Sequence, residues 1–255
     1  MNKKDTSWGK VADWYDDLVL KEDSYQKTLI LPNLLRITNI KKGENILDIG
    51  CGQGFFANEF NKEGAIVTGT DISTELIEKA KKSSSKLINY FVSDAGNLLN
   101  LKDNSFDKVF FILSIQNIEN IERAFFEARR VLNTNGKIFM VINHPCFRIP
   151  QKSDWGFDEN KKIQYRRVDQ YMTESTIEIN MHPGIKDSEK TFSFHRSLST
   201  YFEVFRKTGF CILNIEEWVS NKKSQKGPRQ MSEDKARKEV PLFMLIEAQK
   251  NPVSI

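Results

Sequence analysis

The chain is poor in the residues that staple or metallate small folds. Its 255 residues include three cysteines, Cys51, Cys146 and Cys211, an odd number with no C-x-x-C pair. That argues against a disulfide framework, and no further Cys or His stands at ligand spacing, so no metal is expected. Histidine is equally scarce: His144, His182 and His195 are the whole supply. No apolar run approaches the roughly 20 residues of a membrane span. The opening residues, Met1-Asn2-Lys3-Lys4-Asp5, lack the apolar stretch of a secretory signal, and a cytoplasmic location is the expectation. A large excess of one charge is missing too. The net charge is +4, and residues 220–239 alone hold seven Lys/Arg against three Asp/Glu, which accounts for all of it. The broad basic footprint of a nucleic-acid binder is therefore absent, leaving one basic loop at 220–239. There is no internal repeat. A chain of this length forms one domain, 1–255, with a sizeable core.

What is present is a glycine turn. Ile46-Leu47-Asp48-Ile49 reads as a strand, and Gly50, Gly52 and Gly54 follow at every second position. That pattern ends a strand in a tight turn and opens a helix, with backbone exposed to a ligand. A second strand, Ala65 to Thr70, ends in Asp71, placed to hydrogen-bond ribose hydroxyls. The pair describes a nucleoside-binding βαβ unit. The spacing is G-x-G-x-G, with Phe55 where a dinucleotide fingerprint has its third glycine. Asp48, just before the turn, suits a cationic ligand better than a pyrophosphate. S-adenosylmethionine is such a ligand, with a sulfonium, an ammonium and no phosphate.

Further segments alternate strand and helix. Strands are predicted at Ile88 to Val92, Asp107 to Leu113 and Lys137 to Asn143, and helices at Tyr25 to Asn39, Gly54 to Lys62 and Asn120 to Leu132. Ser73 is placed to cap a helix carrying Leu76, Ile77 and Ala80 inward. The alternation argues for an α/β fold with a doubly wound, mostly parallel sheet. Ligands bind such sheets at the carboxyl ends of the strands, where Gly50, Asp71, Asp94, Ser114 and His144 all fall.

In these motifs the chain resembles the class I S-adenosylmethionine-dependent methyltransferases, and most of all the small-molecule branch with methyltransferase type 11 domains. The likeness rests on Asp48 to Gly54, Asp71, Ser93-Asp94-Ala95, Asn104 to Val109, Glu127 to Leu132 and Asn135-Gly136-Lys137, in order between Leu31 and Ile142. It implies a Rossmann-like sheet of seven strands in the order 3-2-1-4-5-7-6. It implies S-adenosyl-L-methionine as cofactor, with its methionine part in the turn Asp48, Gly50, Cys51, Gly52 and Gly54. Asp71 would take the ribose hydroxyls, Asp94 the adenine amino group beside Ala95, and Ile72 the adenine face. Ser114 would contact the cofactor through its backbone, and Tyr15, in a helical arm spanning 1–40, would close the pocket. Relatives often carry histidine after the fourth strand. Here Ser114-Ile115-Gln116-Asn117 offers no base near neutral pH.

The alternation breaks at 145–192, read as an inserted cap over the strand ends. Its alternating stretches Ile163–Val168 and Thr176–Met181 are expected to form a hairpin or two strands. A helix from Ser197 to Thr208 and strands at Phe210 to Trp218 and Pro241 to Ala248 complete the chain. The three histidines cluster in or beside the cap. His144 is the candidate base, and Tyr165, Arg166, His182, His195 and Arg196 are candidates for substrate binding. The reading is methyl transfer to a small-molecule acceptor by a monomer or homodimer that needs neither membrane nor nucleic acid. An RNA or protein acceptor, a non-catalytic cofactor binder and a nicotinamide oxidoreductase are the alternatives.

Overall fold

A computed structural model describes residues 21–180 and 190–251. Its centre is a seven-stranded sheet. The strands are β1 (Asn45–Ile49), β2 (Ile66–Asp71), β3 (Asn89–Val92), β4 (Phe106–Ile112), β5 (Leu132–Asn143), β10 (Phe210–Trp218) and β11 (Phe243–Lys250). They lie in the order β3-β2-β1-β4-β5-β11-β10. The first five are parallel, and β11 runs antiparallel to both β5 and β10. Counted within the sheet, this is the expected order 3-2-1-4-5-7-6.

Strand pleating divides the apolar residues between two cores. Phe110, Phe139, Val141 and Leu245 face one way, against α1 (Leu31–Thr38), α2 (Phe55–Lys62) and α3 (Thr74–Ser83). Phe111, Met140, Ile142 and Ile246 face the other way, against α4 (Ile121–Val131) and α5 (Leu198–Lys207). Aromatic rings fill both. Phe60, Phe110 and Phe139 run in series with centroids 4.6 and 5.2 Å apart. On the opposite face Phe125 stacks on Phe111 at 5.6 Å and meets Phe205 and Phe210 edge-on at 4.8 and 6.1 Å.

The local signals hold with small shifts. Ser73 caps α3, its Oγ accepting from the Leu76 N–H at 3.1 Å. Leu76, Ile77 and Ala80 are buried as expected. The segment before α1 is a π turn, Gln26–Ile30, in which the Leu31 N–H reaches back to the Gln26 carbonyl. Pro32 follows at the start of α1, where its missing N–H costs nothing. β5 begins earlier than expected because Leu132 already pairs with Phe106 before a register shift.

The region expected to form a hairpin or two strands holds two antiparallel strand pairs, the second reaching past residue 192. β7 (Ile163–Val168) pairs with β6 (Ser153–Asp158), and β8 (Ser175–Asn180) pairs with β9 (Lys190–His195). Each alternating stretch thus found a partner that its own pattern did not announce. The basic loop ends in α6 (Gln230–Glu239) and is tied down by its charges. Lys222 pairs with Asp23 at 2.8 Å, Arg229 pairs with Glu159, and the Arg237 Nε donates to Ser224 at 2.9 Å. Among the described residues no helix is long and apolar enough to cross a membrane, and no cluster of His, Cys, Asp and Glu would hold a metal.

Phe125 has 0% of its surface exposed and touches three other rings. Phe125→Ala is expected to lower stability by about 3–5 kcal/mol in urea denaturation. A loss below about 1 kcal/mol would mean that this core closes around the void.

Candidate active site

The strand tips open into a cavity of about 670 Å³. Its origin is topological. The chain leaves β1 toward the face of α2 and leaves β4 toward the face of α4, so a crevice opens between neighbouring tips. The glycine turn forms its floor. Gly50 has φ +73°, and a Cβ there would stand 2.4 Å from the Ser114 Cβ. Ser114 is fixed in turn, its Oγ donating to the Ile49 carbonyl at 2.7 Å. Gly54 has φ +85°, and a Cβ there would fall 2.2 Å from the Tyr90 hydroxyl. Tyr90 shares a 2.9 Å hydrogen bond with Ser84, and burial pushes its phenol above the ordinary range.

Three carboxylates line this floor. Asp71 is held by backbone: Oδ2 accepts from Gly52 N–H and Oδ1 from Ser73 N–H, both at 2.9 Å. Burial raises its pKa, while those N–H donors pull the other way. Asp94 Oδ1 accepts from Gly96 N–H at 2.9 Å, next to Ala95. Ile72 leaves 43% of its surface open on the same wall. Asp48 differs from the other two. It is 1% exposed, and neither carboxylate oxygen has a partner among the described residues. Burial, then the charge of Asp71, pushes its pKa up to about 7. The Cys51 thiol beside it is raised for the same reasons, burial first and then the two carboxylates.

Buried polar atoms are nearly always paired. Here the Asp48 carboxylate, the Gln53 amide and the Gln116 Oε1 are unpaired, and all three residues line one cavity. A cation donating to Asp48 would satisfy it, and an anion would be repelled. A cationic, ribose-bearing ligand with no phosphate therefore fits this floor, and S-adenosylmethionine is such a ligand.

Of the expected cofactor residues, Asp48, Gly50, Cys51, Gly52, Asp71, Ile72, Asp94, Ala95 and Ser114 line the cavity. Gly54, the N-cap of α2, is not among the lining residues. Tyr15 and His182 lie outside the described residues. The cap candidates that are described stand elsewhere. His144 does not reach the cavity: its Nε2 is 2.6 Å from Glu217 Oε1, and its Nδ1 accepts from the Cys146 N–H at 3.2 Å. Burial lowers its pKa against the pull of Glu217. With both ring nitrogens engaged, it is placed as a structural group. His195 Nε2 bonds the Tyr171 carbonyl at 2.7 Å. Arg196 donates to the carbonyls of Ile118 and Glu119 at 2.9 and 2.6 Å, so it secures a cavity-lining loop from behind. Tyr165 packs across the hairpin on Gly156. Arg166 donates to the Phe147 carbonyl and Ser153 Oγ, both at 2.8 Å, and lies over Trp155.

In their place Gln26, Gln53, Asn143, Pro150, Ile179 and Ser193 line the cavity. Gln53 was findable, since it sits inside the glycine run. Asn143 was one residue away, at the last position of β5. The others depend on how the cap folds back.

Comparison with known proteins agrees with this geometry. Residues 47–140 match the family described as Methyltransferase domain. The chain is 27% identical over 139 residues to a demethylmenaquinone methyltransferase of Tropheryma whipplei, covering 54% of this chain and 58% of that one. It is 31% identical over 121 residues to a ubiquinone biosynthesis O-methyltransferase of Coxiella burnetii, covering 44% and 51%. The chain thus spans little more than half the length of these curated relatives. A crystal structure of an S-adenosylmethionine-dependent methyltransferase from Mesorhizobium loti superposes with a TM-score of 0.69 at 24% identity, covering 86% of this chain and 96% of that one. The fold is that of the class I S-adenosylmethionine-dependent methyltransferases. Residues 47–140 match the methyltransferase-domain model, and the cavity floor has the charge and shape that S-adenosylmethionine requires.

Asp48 carries a linkage with a definite sign. Its carboxyl titrates near 4 when unfolded and near 7 when folded. The stability that goes with the bound proton is complete below pH 4 and is lost as pH rises toward 7. Asp48→Asn removes this dependence. It should stabilise the ligand-free protein at pH 8 relative to pH 4 by on the order of 4 kcal/mol more than wild type. Urea melts at the two pH values check this; an equal gap at both would show that Asp48 does not titrate in this range.

Proposed function

We propose that this protein transfers the methyl group of S-adenosylmethionine to a small-molecule acceptor. The observation that carries the reading is the buried, unpaired Asp48 carboxylate on a cavity floor made by the glycine turn. When bound, S-adenosylmethionine supplies a methyl group already activated on a sulfonium. The residues then have four tasks. Asp48 and the turn from Gly50 to Gly54 receive the cationic amino-acid end. Asp71, with lone pairs left after its two backbone donors, accepts from ribose hydroxyls. Asp94, Ala95 and Ile72 hold the adenine, one through its amino group and the others through apolar contact. The cap brings Pro150, Ile179 and Ser193 to the wall, which orients an acceptor and excludes water.

A small acceptor is supported by the cavity's size, about 670 Å³, and by the names of the relatives, a demethylmenaquinone methyltransferase and a ubiquinone biosynthesis O-methyltransferase. The basic loop gives little support to an RNA acceptor, because Lys222, Arg229 and Arg237 are engaged within the chain.

Calorimetric titration with S-adenosylmethionine, and with NAD in parallel, tests the reading. S-adenosylmethionine should bind to wild type and roughly tenfold or more weakly to Asp71→Ala, the loss expected for hydrogen bonds to a charged group. Binding of NAD in place of S-adenosylmethionine would move the protein to nicotinamide chemistry.

A further inference from the structure

The end of the cavity at β5 has a different electrostatic character from the floor. β5 stands three strand spacings from β2, about 14 Å, and so away from Asp71. Asn143, its last residue, lines the cavity there. The Asn143 Oδ1 accepts from Arg148 Nη1 at 2.9 Å. That bond orients the amide, carbonyl toward the guanidinium and Nδ2 turned from it. The bond to Arg148 is the side-chain hydrogen bond that Asn143 makes among the described residues, and it leaves the Nδ2 available.

Arg148 has no carboxylate partner among the described residues. It lies over the Phe243 ring, 5.3 Å from the centroid. The titratable groups that bear on it are Arg166, a like charge, and Tyr25. Among the described residues Arg166 bonds to a carbonyl and a hydroxyl, and Asp154 acts on it from beyond ion-pair distance. Burial depresses both guanidiniums. Two adjacent cations with no ion pair of their own among the described residues, and with Asp154 acting only at a distance, leave positive charge in excess here. The rest of the cavity wall is acidic, with Asp48, Asp71, Asp94 and Glu119, relieved by Arg123 beside Gly96 on the β3 side.

We propose that Asn143, held by Arg148, receives an ionised oxygen of the acceptor, an oxyanion on an apolar body that packs against Phe55, Leu113, Pro150 and Ile179. This rests on the methyl-transfer reading, which makes the β5 end the acceptor's. The Asn143 Nδ2 donates to the oxygen, and the positive charge behind it favours the ionised form. The acceptor's proton goes to buffer before binding, so recognition requires no protein base. That is consistent with a His144 whose nitrogens are both engaged. Arg148 acts through Asn143 and is a positioning residue.

The probe is 4-nitrophenol, whose absorbance reports its ionisation. It is titrated with pH on the protein alone and with S-adenosylhomocysteine present. Wild type should prefer the phenolate over the phenol about tenfold, as a hydrogen bond to a charged group implies. Asn143→Asp keeps the side chain's shape but sets an acid against Arg148, and it should abolish the preference. Arg148→Met should also abolish it, and Arg148→Lys should keep part of it. Benzoate should displace the bound probe while benzamide should not. Failure of the probe to bind, an unshifted ionisation in wild type, or an unchanged preference in both Asn143→Asp and Arg148→Met would overturn the proposal. Calorimetry with S-adenosylhomocysteine, run beside it, separates the two readings. Loss of that binding counts against the cofactor, while the probe's ionisation still decides the oxyanion site.

Discussion

The contact between Gly50 and Ser114 sets the geometry on which the site depends. It joins the tips of β1 and β4, the two central strands, at the point where the chain departs to opposite faces. Only a residue without Cβ fits, because the missing atom would stand 2.4 Å from the serine. The serine reciprocates by donating to the Ile49 carbonyl. The turn is thereby held close against β4, with Asp48 buried in β1 between its two neighbouring strands and the following backbone lining the crevice. Tyr90 supports the far side of the same turn beneath Gly54. The floor of the cavity is thus built largely from backbone and small side chains.

Within that shape, charge is distributed unevenly. The floor beneath β1, β2 and β3 is acidic, with one carboxylate unpaired and deeply buried. The wall at β5 carries an oriented amide backed by a guanidinium that has no carboxylate partner among the described residues. Low-dielectric surroundings strengthen both effects. A single cavity therefore offers a cation site and a donor site at opposite ends. Two ligands of opposite polarity would be drawn into place without exchanging positions.

The central fold was readable because its signals are local and repeated. Asp48 to Gly54, Asp71 and Asp94 each sit at a strand tip, and that regularity fixes where they meet. Ser73 announced its helix through one hydroxyl. The cap was less legible for a physical reason. Alternation identified Ile163–Val168 and the stretch from Thr176 as strands but did not say what they pair with. The partners, Ser153–Asp158 and Lys190–His195, carry weaker patterns of their own. Scarcity of histidine drew attention to His144, yet pleating decides which residue at a strand end faces a ligand. Asn143 lines the cavity, while the next residue turns toward Glu217. The Arg196 guanidinium is likewise a brace for the Ile118–Glu119 loop, a role that exists only in three dimensions.

The division of one sheet between two aromatic cores has a consequence for how the chain finds its structure. Phe110 and Phe139 serve one face, and their neighbours Phe111 and Met140 the other. Sliding a central strand by a single residue would exchange these sets, placing each ring among the wrong partners on both sides together. Misalignment is thus penalised twice for every strand that slips. Sheets solvated on one face lack this second check, and their errors are corrected by half as many contacts. In this chain the two cores proofread each other's alignment.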